Sequence, residues 1–222
     1  NNEKITEGLD GLRDRLAEYF NLGARFAKWR AVININDTLP SLGCIEANAH
    51  ALARYASLCQ ENGLVPIVEP EVLMNGDHDI SRCYEVTSKI LDILFNQLSH
   101  QNVILEGIVL KPNMIISGLA CTSQASVNEV GELTVKCFKE HVPHSVQGIA
   151  FLSGGQNSDV ATKHLNVMNR NYKNLPWNLT FSYGRALQQD ALNAWLGKNR
   201  LSAQEQLLKR AKNNSLATMG NF

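Results

Sequence analysis

Glu106-Gly107-Ile108-Val109-Leu110-Lys111-Pro112-Asn113 is an apolar, strand-like run closed by a lysine, and three other runs share its form. Val65-Pro66-Ile67-Val68 leads into Glu69-Pro70-Glu71, and Gly148-Ile149-Ala150-Phe151-Leu152 into Ser153-Gly154-Gly155. Leu179-Thr180-Phe181-Ser182-Tyr183 leads into Gly184-Arg185. Glu69 and Lys111 are 42 residues apart, Lys111 and Ser153 again 42, and Ser153 and Arg185 32. This is the rhythm of repeated strand-helix units, each the length of one βαβ crossover. Such units give a parallel sheet, and in a (β/α) barrel the C-terminal ends of its strands converge on one face.

Helical periodicity fills the intervals. Leu9, Leu12, Leu16, Tyr19 and Phe20 recur at helical spacing up to Gly23. The run 26–33 follows as a strand with Lys28 and Arg30 on one side, because side chains two apart share a face. Helices are expected from Ala47 to Glu61, from Asp79 with a stripe of Val86, Ile90, Ile93, Leu94 and Leu98, and from Ser126 to His141. Ser126-Val127-Asn128-Glu129 has the form of a capping box. Strands are expected over Val65–Val68, Ile104–Leu110, Val146–Leu152 and Leu179–Tyr183. Further helices are expected over 159–169, 186–196 and 202–212, with a loose tail at 215–222. That makes five strands where a closed (β/α)₈ barrel needs eight and ~250 residues. Five strands fit an open doubly wound sheet or most of a barrel.

With 222 residues and 44% hydrophobic content, the chain is long enough to bury a core as one domain. Lys+Arg and Asp+Glu are equal at 21 each, and no basic stripe carries interleaved aromatics, which argues against nucleic acid or an anionic membrane as partner. No apolar run reaches the length of a membrane span, and Asn1-Asn2-Glu3-Lys4 does not read as a signal peptide. Cys44, Cys59, Cys83, Cys121 and Cys137 are odd in number and form no Cys-x-x-Cys pair, as reduced core thiols of a cytoplasmic protein would be. Trp29, Trp177 and Trp195 read as packing residues.

Lys111 is the first chemical candidate. An ε-amino group attacks a carbonyl only as the neutral amine, a form favoured by burial and by a nearby cation such as Lys28. The plain alternative is a lysine that snorkels from a strand end into water. Glu69-Pro70-Glu71 sets two carboxylates on one side of an extended segment, suited to proton transfer or to holding a lysine, or else to a charged rim. Ser153-Gly154-Gly155 ahead of a helix forms an anion nest, to which Arg185 adds a planar permanent cation. An ordinary turn and a surface arginine would look the same. Gly76-Asp77-His78-Asp79 reads as a turn with an aspartate N-cap, not as a metal site. Neither a dinucleotide fingerprint nor a Walker motif occurs, so no nucleotide cofactor is implied.

Taken in order, Ala27-Lys28-Trp29-Arg30, Val65-Pro66-Ile67-Val68-Glu69-Pro70-Glu71, Leu110-Lys111-Pro112-Asn113-Met114, Phe151-Leu152-Ser153-Gly154-Gly155-Gln156 and Leu179-Thr180-Phe181-Ser182-Tyr183-Gly184-Arg185 closely resemble class I fructose-bisphosphate aldolase. So do Ile5-Thr6-Glu7-Gly8-Leu9-Asp10-Gly11-Leu12 and Leu52-Ala53-Arg54-Tyr55-Ala56-Ser57. The resemblance implies a (β/α)₈ TIM barrel of which this chain holds about the last five units, as a single partial domain over 1–222. It implies reversible cleavage of fructose 1,6-bisphosphate to dihydroxyacetone phosphate and glyceraldehyde 3-phosphate, with no cofactor and no metal. Lys111 would form the Schiff base, Glu69 would move protons, Lys28 would supply positive charge, and Glu71 would organise the lysines. Ser153, Gly154, Gly184 and Arg185 would hold the ketose C1 phosphate, and Arg30 would touch substrate near the other phosphate. A homo-tetramer is implied by the family as well.

Family members are longer. The resemblance implies that their first three barrel strands precede this chain, carrying an aspartate and a further lysine, and that a C-terminal tail with a terminal tyrosine follows it. A truncated relative that binds sugar phosphate without turnover is therefore the competing expectation.

Overall fold

A computed structural model of the chain describes residues 3–222. Five strands run parallel, and each pairs with the next in chain order: β1 Phe26–Ile33, β2 Val65–Val72, β3 Val109–Leu110, β4 Gly148–Phe151 and β5 Asn178–Phe181. Helices α2 (Leu42–Glu61), α3 (Ile80–His100), α4 (Val127–His141) and α5 (Ser158–Asn171) make the four crossovers. Helix α1 (Leu12–Asn21) precedes the sheet, while α6 (Arg185–Trp195) and α7 (Arg200–Thr218) follow it. Sequential parallel order with a helix in every crossover is the winding of a (β/α) barrel wall, as expected, and an open doubly wound sheet would reverse its strand order.

The helix faces that meet the sheet are those the apolar spacing marks. Val86, Ile90, Leu94 and Leu98 of α3 are buried, with Ile93 packed beside them. Tyr55, Leu52, Leu91, Leu110, Phe138 and Phe151 lie at the centre of the core, where the rings of Phe138 and Phe151 stack 5.7 Å apart. Helix starts follow their side chains. Asp79 accepts from the backbone of Arg82 at 2.7 Å, Ser126 and Glu129 close a capping box, and Ser41 accepts from Cys44 N at 3.2 Å, which starts α2 five residues before the expected Ala47.

Several boundaries differ from expectation, each for a physical reason. β2 does not stop at Val68 but continues through Glu69-Pro70-Glu71 to Val72. Pro70 has no N–H to give, and it is tolerated because β3 pairs only with Ile67 and Val68, so β2 at Pro70 has a single hydrogen-bonded neighbour. β3 is only two residues long. Ile104 is held instead by the side chain of Gln60 through both its N–H and its carbonyl, and 105–107 form a tight 3-10 turn. The segment 215–222 is not loose: α7 runs to Thr218, Ala217 is fully buried, and Phe222 N donates to Asn166 Oδ1 at 2.9 Å. Trp195 is about half exposed at the end of α6 rather than a packing residue, whereas Trp29 and Trp177 are buried. All five cysteines are free, with only Cys121 outside the buried set. Among the described residues no helix is long and apolar enough to cross a membrane.

Candidate active site

Register places the charged groups. Arg30 stands opposite Glu69 and Lys28 opposite Ile67, so all four lie on one face of the β1–β2 pair together with Glu71. Each cation leans along its strand and reaches the carboxylate two residues beyond its partner. Lys28 Nζ lies 3.0 Å from Glu69 Oε2, and Arg30 Nε is ion-paired with Glu71 Oε2. Val68 pairs with Leu110, which carries Lys111 to the position opposite Glu69, and Lys111 N donates to Val68 O at 2.8 Å. From there Lys111 Nζ comes within 3.3 Å of Glu69 Oε1.

One carboxylate therefore sits between two ammonium groups. Glu69 is 4% exposed in its side chain and Lys111 12%, against 44% for Lys28. A buried carboxylate is costly unless paired, and here each oxygen has its own cation. Lys111 thus ends its strand in a largely enclosed position and does not snorkel into water. Its amine has a proton acceptor at contact distance and a second positive charge held across that acceptor. Glu71 makes its ion pair with Arg30, leaving Glu69 as the carboxylate that meets the lysines.

The turn after β4 and the helix after β5 form a second corner. Ser153 is buried, and Gly154 and Gly155 follow at φ +59° and +102°, left-handed values that glycine adopts without strain. A methyl group built on Gly155 would stand 3.3 Å from Arg185 Nη2, so the guanidinium lies directly over this turn. Arg185 is the first residue of α6, is exposed, and has no ion-pair partner among the described residues. Gly184 caps the same helix with open space where a side chain would be. Two backbone corners, one helix N-terminus and an arginine without an ion-pair partner among the described residues bring together groups of the kind that can receive an anion.

Residues without a sequence-derived role support these groups. Asn113 accepts from Val72 N at 3.1 Å through its side-chain oxygen, and its amide donates to Thr87 Oγ1 at 3.1 Å. The run that identifies Lys111 includes Asn113, but nothing in its spacing signals a side chain that replaces strand pairing. His78 is buried in the 76–79 turn, with burial lowering its imidazole below the usual range; among the described residues no group of His, Cys, Asp and Glu is arranged to hold a metal ion.

Comparison with known proteins places this geometry in context. The family model described as "Fructose-bisphosphate aldolase class-I" matches residues 1–222. The chain is 60% identical to a probable fructose-bisphosphate aldolase class 1 of Xanthomonas campestris pv. campestris, an alignment covering 99% of this chain and 66% of that protein. It is 52% identical to fructose-bisphosphate aldolase B of Gallus gallus, over 100% of this chain and 62% of that one. The solved structure of Plasmodium falciparum fructose-bisphosphate aldolase, in complex with TRAP and a small-molecule inhibitor, superposes with a TM-score of 0.97 at 50% identity. That match covers 100% of this chain and 65% of the other. The chain thus spans just under two thirds of the length of these relatives.

Proposed function

The chain belongs to the class I fructose-bisphosphate aldolase family, and on that premise we propose that it carries the imine-forming centre of a fructose 1,6-bisphosphate lyase. The observation that supports this reading best is Glu69 held between Lys111 and Lys28, 3.3 and 3.0 Å from their ammonium nitrogens.

Lys111 Nζ adds to the ketose C2 carbonyl, forming a C–N bond as the carbonyl π pair moves to oxygen and takes up a proton. Glu69 sits at hydrogen-bond reach of the amine and passes a proton to the carbinolamine hydroxyl, which leaves as water. The protonated imine then accepts the electron pair released when C3–C4 breaks, and the C4 hydroxyl loses its proton as glyceraldehyde 3-phosphate departs. Protonation of the remaining enamine at C3 and hydrolysis return dihydroxyacetone phosphate and the free lysine. Lys28 supplies positive charge beside Glu69 throughout. Glu71 fixes Arg30, which meets substrate near the C6 phosphate, while Ser153, Gly154, Gly184 and Arg185 receive the C1 phosphate. The protein acts without cofactor, as one partial barrel domain of a cytoplasmic homo-tetramer.

Borohydride reduction in the presence of dihydroxyacetone phosphate, followed by peptide mass mapping, tests the reading. A reduced adduct on Lys111 is expected, and its loss in Lys111→Ala. An adduct on another lysine, or none in the folded chain, overturns it.

A further inference from the structure

Away from the lysines, a cavity of about 450 Å³ opens between the loop 115–126 that follows β3 and the first turns of α4 and α5. Met74, Ile116, Leu119, Val130 and Val160 give it a largely apolar wall, and His164 forms part of its lining. No residue of β1 or β5 contributes, so the cavity is built from the middle of the sheet rather than from its edges. No charged side chain lines it, unlike the corner around Arg185.

His164 gives the cavity its chemistry. The ring is 5% exposed, and its Nδ1 lies 2.7 Å from Gln156 Oε1. An amide oxygen only accepts, so the imidazole proton is on Nδ1. Gln156 Nε2 faces Met114 Sδ at 3.7 Å, which agrees with that orientation of the amide. Burial lowers the imidazole to about 4, so the ring is neutral near pH 7. Nε2, on the opposite edge, is then a lone-pair acceptor, and among the described residues it has no hydrogen-bond partner. This nitrogen is not one of the enclosed polar atoms without a partner, so its edge of the ring is open, and on a cavity-lining histidine it offers an accessible acceptor to a donor entering the cavity.

We propose that this cavity binds a small, neutral, mostly apolar molecule bearing one N–H or O–H, with that donor seated on His164 Nε2. A preformed apolar pocket with one convergent polar group is the usual form of a small-molecule site. Anions are disfavoured by a wall that offers them no cation, which separates this site from the sugar-phosphate corner.

Indole and benzofuran are matched probes, alike in shape but differing in N–H against ring oxygen. With the full chain labelled with ¹⁵N at histidine, indole is expected to shift the His164 ring nitrogens saturably. Benzofuran is expected to bind about two- to tenfold more weakly, the worth of one hydrogen bond. Val160→Trp, at a partly exposed wall position, is expected to abolish indole binding, and His164→Phe to bring the two probes level. Leu119→Trp serves as a second filling variant on the more exposed rim. Equal binding of benzofuran, indole binding that survives both filling variants, or no saturation in folded protein overturns the proposal.

Discussion

The side-chain oxygen of Asn113 accepts the backbone N–H of Val72 at 3.1 Å, joining the segment after Lys111 to the end of the strand that bears Glu69 and Glu71. β3 offers β2 only two residue pairs, so beyond Val68 and the Lys111 N–H the backbone of β3 gives β2 nothing more. Asn113 supplies the missing contact by its side chain and fastens it to α3 through Thr87. The position of Lys111 relative to Glu69 therefore depends on a buried amide two residues along.

Asn113→Ala removes these bonds, together with the one its amide donates to Met114 O at 3.1 Å, and leaves the Val72 N–H buried without a partner. A loss of about 1–3 kcal/mol is expected, the cost of orphaning one buried donor. It should appear as a lower urea midpoint at unchanged slope. An unchanged midpoint would mean that the amide is dispensable to the β2–β3 seam.

Glu69→Gln keeps the shape of the side chain but removes the charge between two ammonium groups. The neutral amide is a poor proton carrier, so borohydride trapping of dihydroxyacetone phosphate on Lys111 should slow by about 10²–10⁴. Two cations left facing each other without their counter-ion should also destabilise the fold, by about 3–5 kcal/mol where the pair is fully buried and by less here, because Lys28 is partly in water. Trapping at the parent rate would remove Glu69 from the proton path.

The two glycines that flank Arg185 in space make opposite predictions. At Gly155, φ is +102° and a methyl group would press on Arg185 Nη2, so Gly155→Ala should lower stability by more than about 1 kcal/mol and displace the guanidinium. Gly184 has φ −89° and open space around it, so Gly184→Ala should fold as the parent does. Inorganic phosphate titrated against both variants separates the effects. Weakened binding in Gly184→Ala, at unchanged melting temperature, would report close approach of the anion to that backbone.

What the sequence discloses depends on whether a feature is periodic. Glu69, Lys111, Ser153 and Arg185 are legible because each follows a recurring apolar run, and the repeat itself implies one converging face; Lys28 is legible because alternation within 26–33 sets it beside Arg30. Capping residues Asp79 and Ser126 are legible because their chemistry is local. β2 runs four residues past its expected end because Glu69-Pro70-Glu71 has the composition of a turn, and only the two-residue length of β3 makes room for Pro70. The docked end of α7 escapes a local reading for the same reason. Asn214 finds Thr162 Oγ1 at 2.6 Å, and Arg210 spans Asp159 and Asp190, contacts that exist only after the chain has folded back. The pairing of Glu71 with Arg30 rather than with a lysine likewise follows from the β1–β2 register, which neither strand states alone.

His164 makes the stability of the fold depend on pH in a defined direction. Its imidazole falls from the ordinary 6.5 to about 4 because burial penalises the charged ring. Between those values the unfolded chain binds a proton that the folded chain does not, so the stability fully present above pH 6.5 is lost as pH falls toward 4. The loss from this group is on the order of 3 kcal/mol. His78, also lowered by burial, acts in the same sense. The carboxylates Glu3 and Glu61, lowered mainly by hydrogen bonds to Ser41 and Arg13, act only as pH drops through their own lower range. Urea midpoints measured from pH 7.5 to 4.5 should therefore decline in the parent and decline less steeply in His164→Gln, which keeps a polar side chain but cannot titrate. Equal slopes for the two proteins would mean that His164 takes up its proton without leaving its buried site.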